Sequence, residues 1–150
     1  MEWILKTFDE LSPHELYAIL QLRNEVFAIE QNCVYPDMDN KDQGSHHLMC
    51  WQEIDGSKKL IAYTRLLPPA LAYREASIGR VVTSPAVRGN GTGRILMLRS
   101  IELVQDLYHV KDIRIGAQLY LLQFYSSLGF VPVSEVYLED GIEHIEMLFS

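Results

Sequence analysis

Basic residues are scarce in this chain: 13 Lys and Arg stand against 20 Asp and Glu, a net charge of −7 over 150 residues. Proteins that grip nucleic acid through its phosphates need the opposite balance, so no nucleic-acid partner is expected. Long hydrophobic runs are missing too, with none near the ~20 residues of a membrane helix. The start, Met1-Glu2-Trp3-Ile4-Leu5-Lys6, lacks the basic lead and apolar stretch of a secretory signal. No membrane partner is expected, and the location expected is cytoplasmic. Cysteine is limited to Cys33 and Cys50. That is too few for a disulfide framework, and in a reducing compartment both are expected as free thiols, with a Cys33–Cys50 disulfide left open. No HExxH or comparable ligand spacing occurs, so no metal is expected. Repeats, low-complexity segments and linkers are also absent, which leaves one domain over residues 1–150, 48% hydrophobic and long enough to bury a core.

What is present reads as mixed α/β (α+β). Residues 2–8 predict a strand. Ser12-Pro13-His14-Glu15 then combines an N-cap serine, a proline at the first helical position and a glutamate placed to close a capping box. Leu16, Ile19, Leu20, Val26 and Phe27 keep helical spacing to about Glu30. Residues 31–45 are rich in Asn, Asp, Pro and Gly and predict a loop with room for one helical turn. Strands follow at 46–54, 59–67 and 75–83, the first two as a hairpin about Asp55-Gly56. After the glycine-rich run Arg88-Gly89-Asn90-Gly91-Thr92-Gly93 comes a helix apolar on most faces, which predicts deep burial. Ile113, Ile115 and Ala117 alternate as a strand, Leu119 to Leu128 is a short helix ended by Gly129, and 130–138 and 143–149 are the last strands.

The strand, glycine run and helix around residue 88 carry the chemistry. A helix start presents unpaired N–H groups and the positive end of the dipole, and glycines let an anion approach them. Residues 74–94 hold Arg74, Arg80, Arg88 and Arg94 against Glu75, a local +3 that leaves −10 for the rest of the chain. The ligand is not a nucleotide bound by either common motif. The P-loop pattern fails because the stretch has no lysine. The dinucleotide pattern fails because Leu96 and Arg94 stand where Gly or Ala is needed.

Arg88-x-x-Gly91-x-Gly93 resembles the Q/R-x-x-G-x-G/A motif of the GNAT N-acetyltransferase superfamily. Tyr125-Ser126-Ser127-Leu128-Gly129-Phe130 resembles that family's Y-x-x-x-G-F, two elements later and in the family's order. The segment Leu22 to Cys33, with Tyr35-Pro36 and Asp37 to Asp42, further resembles the small bacterial ElaA-like subgroup. The resemblance implies a mostly antiparallel sheet of about six or seven strands flanked by helices, with a splayed central strand pair. It implies acetyl-CoA as co-substrate: its pyrophosphate on Arg88, Gly89, Asn90, Gly91, Thr92, Gly93 and Arg94, its pantetheine arm along Val81, Val82 and Thr83. Gln118 stands where many members have Asn and keeps an amide for the cofactor, while Leu121 replaces a usual Ala. The implied reaction is direct attack of an amine on the thioester. A backbone donor near Val82 would steady the oxyanion, and Tyr125 would act as acid to the leaving thiolate. A non-catalytic acyl-CoA sensor of the same fold is the alternative, and a plain α/β interaction protein is a third reading.

For the base, the residues leave Glu30, His46, His47, Glu135, His144 or a water. His46 and His47 are adjacent on a strand and point to opposite faces, so at most one can serve. Glu135, Glu139, Asp140, Glu143 and Glu146 are five acids with no lysine or arginine among them. As a rim they would draw a cationic acceptor, a small-molecule or peptide amine, with the acidic loop Asp37 to Asp42 contributing. A homodimer is admitted as a further partner state.

Overall fold

The Ser12 signal forms as read: the Glu15 amide donates to Ser12 Oγ at 3.1 Å and the Ser12 amide to Glu15 Oε1 at 2.8 Å. In a computed structural model describing residues 1–150, this box starts α1 (Pro13–Arg23), which follows β1 (Glu2–Thr7). The expected helix to Glu30 is interrupted. From Asn24 to Glu30 the chain widens into π-turns, a helical form found often at functional sites. Val26 and Phe27 still join Ile19 and Leu22 in one buried cluster, so the apolar spacing was right while the winding differs. The loop after it holds one 3₁₀ turn, Asp42–Gly44.

β2 (His46–Ile54), β3 (Ser57–Leu67) and β4 (Ser77–Thr83) complete an antiparallel sheet in the order β1-β2-β3-β4. Next come α2 (Thr92–Tyr108), β5 (Ile113–Gln118) and α3 (Leu122–Ser127). The chain ends with β6 (Val131–Pro132), β7 (Tyr137–Glu139) and β8 (Ile142–Phe149). A second four-stranded sheet runs β5-β8-β6, with β7 also on β8. The architecture is the mixed α/β one expected, with antiparallel strands and flanking helices. It counts eight strands, because the stretch read as one strand from 130 to 138 breaks into two. Ser134 causes the break: its Oγ, not the main chain, takes the Glu146 N–H at 2.9 Å, and Pro132 has no N–H to offer.

α2 lies against both sheets. Met97, Ile101 and Val104 pack with β5 and β8, and Leu96 packs with β2 and β3. Ile95 and Leu98 reach solvent, so the helix is buried on one broad face rather than all round. α3 ends at Gly129, with the Phe130 amide on the Tyr125 carbonyl and the Gly129 amide on Ser126, a Schellman pairing. No helix is long and apolar enough to cross a membrane.

Candidate active site

β4 and β5 are neighbours that do not zip. They touch at one bridge, Ala76 to Ile113, where the Arg114 amide donates to the Ala76 carbonyl at 2.9 Å. Beyond it β4 keeps β3 on one edge and nothing on the other. The strands diverge around a cleft of about 840 Å³ lined by Val81, Val82 and Thr83, by Gln118, and by Tyr125. A free strand edge offers main-chain donors and acceptors to an extended ligand.

β4 is also bulged. Its register against β3 slips by one between Tyr63↔Val82 and Arg65↔Gly79, and Arg80 takes a left-handed φ of 51°. The extra residue leaves main-chain groups out of the ladder, next to the site where β4 faces the cleft. Side-chain bonds hold the strained turn: Arg80 Nε lies 2.8 Å from Asp37 Oδ1, and Nη2 donates to the Asp37 carbonyl at 2.8 Å.

The glycine run forms an open cradle before α2. Gly89 and Gly91 have φ of 87° and 82°, and a Cβ at either would meet nothing within 4 Å. Asn90, one residue before the N-cap Gly91, accepts at Oδ1 from the Thr92 amide at 3.1 Å and from the Thr92 hydroxyl. The amides of Gly89, Asn90, Gly91, Gly93 and Arg94 donate to no group of the chain. Arg88 and Gly93 reach the cleft; Thr92 is buried beneath the turn. Arg94 donates to Ser127 Oγ at 3.0 Å, which ties the helix start to α3.

The +3 read along residues 74–94 is not one patch. Arg80 is taken by Asp37 and Asp39, Arg74 is exposed beside Glu75, and Arg88 meets Glu30 at 2.5 Å. Only Arg88 and Arg94 stay with the cradle. The acidic loop is equally changed. Asp37, Asp39 and Asp42 are matched by Arg23, Arg65 and Arg80, so it does not add to an acidic rim. Burial raises the Asp39 carboxyl, but the Arg65 hydrogen bonds and charge outweigh it and hold the group well below the usual carboxylate range.

Tyr125 sits on α3 with its ring edge-on to Phe124 and Phe130. It is 5% exposed, and its hydroxyl makes no hydrogen bond within the chain. Burial pushes its pKa up, so it carries its proton across the neutral range.

Residues Glu30 to Cys33 cross the cleft as a strap. Glu30 binds Arg88, Gln31 and Gln118 exchange amide hydrogen bonds at 3.3 Å, and the Cys33 thiol donates to the Asp140 carbonyl at 3.4 Å. Gln118 is thus held by the strap from the β5 side. Both cysteines are free thiols, with Cys50 buried on β2, so no disulfide joins them.

The site is thus a splayed strand pair with an open glycine turn at its mouth. The acetyltransferase (GNAT) domain model matches residues 11–150. The chain belongs to the GNAT acetyltransferase family. Protein ElaA of Escherichia coli is 42% identical over 149 residues, 98% of this chain and 95% of that protein. The crystal structure of ElaA superposes over the full length of both chains with a TM-score of 0.88 at 41% identity. An acyl-CoA N-acyltransferase from Pseudomonas aeruginosa superposes with 0.91 at 43%, again over both whole chains.

Within this GNAT domain the five side chains considered as base separate clearly. His47 is buried. Its Nε2 donates to the Asp42 carbonyl at 2.9 Å and its Nδ1 accepts from Tyr63 at 2.6 Å, while burial lowers its pKa. His46 is bound to Tyr108, whose hydroxyl donates to the Leu66 carbonyl. Neither histidine lines the cleft, nor does Glu135; Glu30 and His144 do. Of the terminal acids, Glu139 and Asp140 reach the cleft, and Glu146 is bound to Arg114 at 3.0 Å. Tyr73 and Tyr137 were not foreseen. Their hydroxyls meet over Gly116, where a Cβ would lie 2.9 Å from one and 3.1 Å from the other. A glycine inside the alternating run Ile113 to Ala117 was the available signal, because such a glycine marks a close approach.

Proposed function

We propose that this chain transfers an acetyl group from acetyl-CoA to a primary amine by direct attack. The observation that carries the reading is the meeting, in one cleft, of the free β4 edge, the open glycine turn and the unpartnered Tyr125 hydroxyl. The residues fit such a donor. The amides of Gly89, Gly91, Gly93 and Arg94 and the Arg88 guanidinium would hold the diphosphate, and Val81 to Thr83 would pair with the pantetheine arm. Acetyl-CoA supplies the activated thioester. The chain's part is to align it, to present bulge amides of β4 to the oxygen where negative charge grows, and to offer the Tyr125 proton to the departing sulfur. Small amines, lysine side chains and peptide N-termini are the acceptors to test, and free Cys33 and Cys50 suit a cytoplasmic setting.

Two measurements test the reading. Acetyl-CoA at 100 times its dissociation constant should stabilise the protein by about 2.7 kcal/mol in thermal unfolding. Thiol release should then depend on added amine. No shift overturns any CoA role, whereas a shift without amine-dependent release favours a sensor.

The Glu30–Arg88 pair gives a further expectation. Both side chains are 40% exposed, so the bond adds little stability, yet Glu30 must yield Arg88 to a phosphate. Glu30→Gln should tighten CoA binding by about two- to fivefold. Calorimetric titration checks it, and weaker binding would show that Glu30 helps rather than competes.

A further inference from the structure

On the β5–β8 side of the cleft, one imidazole is held by contacts at both ring nitrogens and on its face. His144 on β8 is 8% exposed and pairs in register with Gln118 on β5 and with Tyr137 on β7. Its Nδ1 lies 2.8 Å from the Ile142 carbonyl, which can only accept, so Nδ1–H donates there and Nε2 is the ring nitrogen left for a second partner. Nε2 faces Glu139 Oε2 at 3.5 Å, and the ring stacks on Tyr137 at 5.8 Å and 27°. In its neutral form an imidazole anchored through Nδ1–H has Nε2 free to take a proton, and the carboxylate beside it meets the new charge. The neighbouring wall includes Tyr73 and Gly116, and the Tyr137 hydroxyl meets that of Tyr73 over Gly116. Burial holds Tyr73 up at about 12 and pushes Tyr137 up as well, so both stay neutral and suit a hydrogen-bonding cation.

We propose that His144, backed by the Tyr137 ring, is the base of the reaction, taking a proton from a primary ammonium bound between Tyr73 and Glu139. The assignment rests on the acetyl transfer proposed above. Nε2 removes one proton from R–NH3⁺, and the imidazolium pairs with Glu139. The freed nitrogen lone pair forms the C–N bond at the thioester carbon and the C–S bond breaks. Tyr125 protonates the sulfur and regains its proton from the newly bonded nitrogen. The amide and the thiol leave, and His144 returns its proton to solvent. Of the competing side chains, His46, His47 and Glu135 lie outside the cleft, and Glu30, once it yields Arg88 to a phosphate, stays beside that phosphate on the donor side.

The test compares wild type with His144→Gln at saturating acetyl-CoA, using spermidine, charged at neutral pH, and 2,2,2-trifluoroethylamine, largely uncharged there. For spermidine kcat should fall by about 10²-fold. For trifluoroethylamine, which needs no deprotonation before attack, the fall should be far smaller, and added imidazole should restore part of the spermidine rate. Equal losses with the two amines, or no loss, overturn the assignment. Glu139→Gln, at an exposed side chain, guards against a folding defect and should lower the spermidine kcat by about two- to fivefold. An unchanged rate removes Glu139 from the pair. Absence of thiol release from the wild type with every amine overturns the transferase reading itself, and His144's role with it. Retained stabilisation of His144→Gln by acetyl-CoA shows that the donor side is intact.

Discussion

Tyr125→Phe is expected to lower kcat by about 10³-fold while leaving acetyl-CoA binding and thermal stability almost unchanged. The reasons lie in what the substitution keeps. The ring stays packed at 5.1 Å from Phe124 and 5.9 Å from Phe130, so no cavity forms. The lost hydroxyl has no partner within the chain, so no buried acceptor is stranded by its removal. What disappears is a proton held ready beside the cleft, since burial keeps the phenol protonated at any pH where the amine reacts. Stopped assays of thiol release, with unfolding curves in the presence and absence of acetyl-CoA, separate the outcomes. An unchanged kcat rules out the acid role. A fall in stability matching the fall in rate would mean that the hydroxyl matters for folding.

The parts of this site that could be read in advance are those whose chemistry is local in sequence. The Ser12–Glu15 box needs residues three apart, the cradle needs Gly89 and Gly91 just before a helix, and the Tyr125 helix needs Gly129 to end it. Each closes over a few residues, so spacing alone specifies it. Charge did not work this way. Summing Arg74, Arg80, Arg88 and Arg94 along the chain suggested one basic patch, but ion pairing is decided in space. The bulge at Arg80 sends its guanidinium to Asp37 and Asp39, some 40 residues earlier. The strap was hidden for the same reason. Gln31 with Gln118 and Cys33 with Asp140 are pairs 87 and 107 residues apart, and none of the four belongs to a motif that names its partner. The π-turns from Asn24 to Glu30 escaped because apolar spacing reports which side faces the core, and Val26 and Phe27 satisfy it with either winding.

Of the side chains that support the cleft without touching a reacting atom, Arg23 carries the largest expected effect. Arg23→Met should destabilise the protein by about 3–5 kcal/mol, a fall in Tm on the order of 10 °C for a chain of this length. The guanidinium is 1% exposed and donates to Asp37 Oδ2 and Asp42 Oδ1, both at 2.9 Å, and to the Asp37 carbonyl at 3.1 Å. Methionine fills much of the volume and meets none of these acceptors. Asp42, itself buried, would be left with Arg65 alone at 3.0 Å. The sign with pH follows. Burial raises the Asp42 carboxyl, but hydrogen bonds and charge from Arg23 and then Arg65 outweigh it and depress its pKa. A depressed carboxylate stabilises the fold above its unfolded value of about 4 and loses that contribution as pH falls. The Tm gap between wild type and Arg23→Met should therefore be full near neutral pH and shrink below about pH 4. Adding Asp42→Asn to Arg23→Met removes the stranded charge and should recover part of the loss at neutral pH. A gap that widens in acid, or a double variant no more stable than the single one, would mean that Arg23 acts through packing on Tyr63, whose ring lies 6.0 Å away, and not through charge. Because Asp37, a partner of Arg23, also holds Arg80 at the bulge, the variant should also raise KM for acetyl-CoA at temperatures well below its Tm, where the fold persists and only the alignment of β4 is loosened.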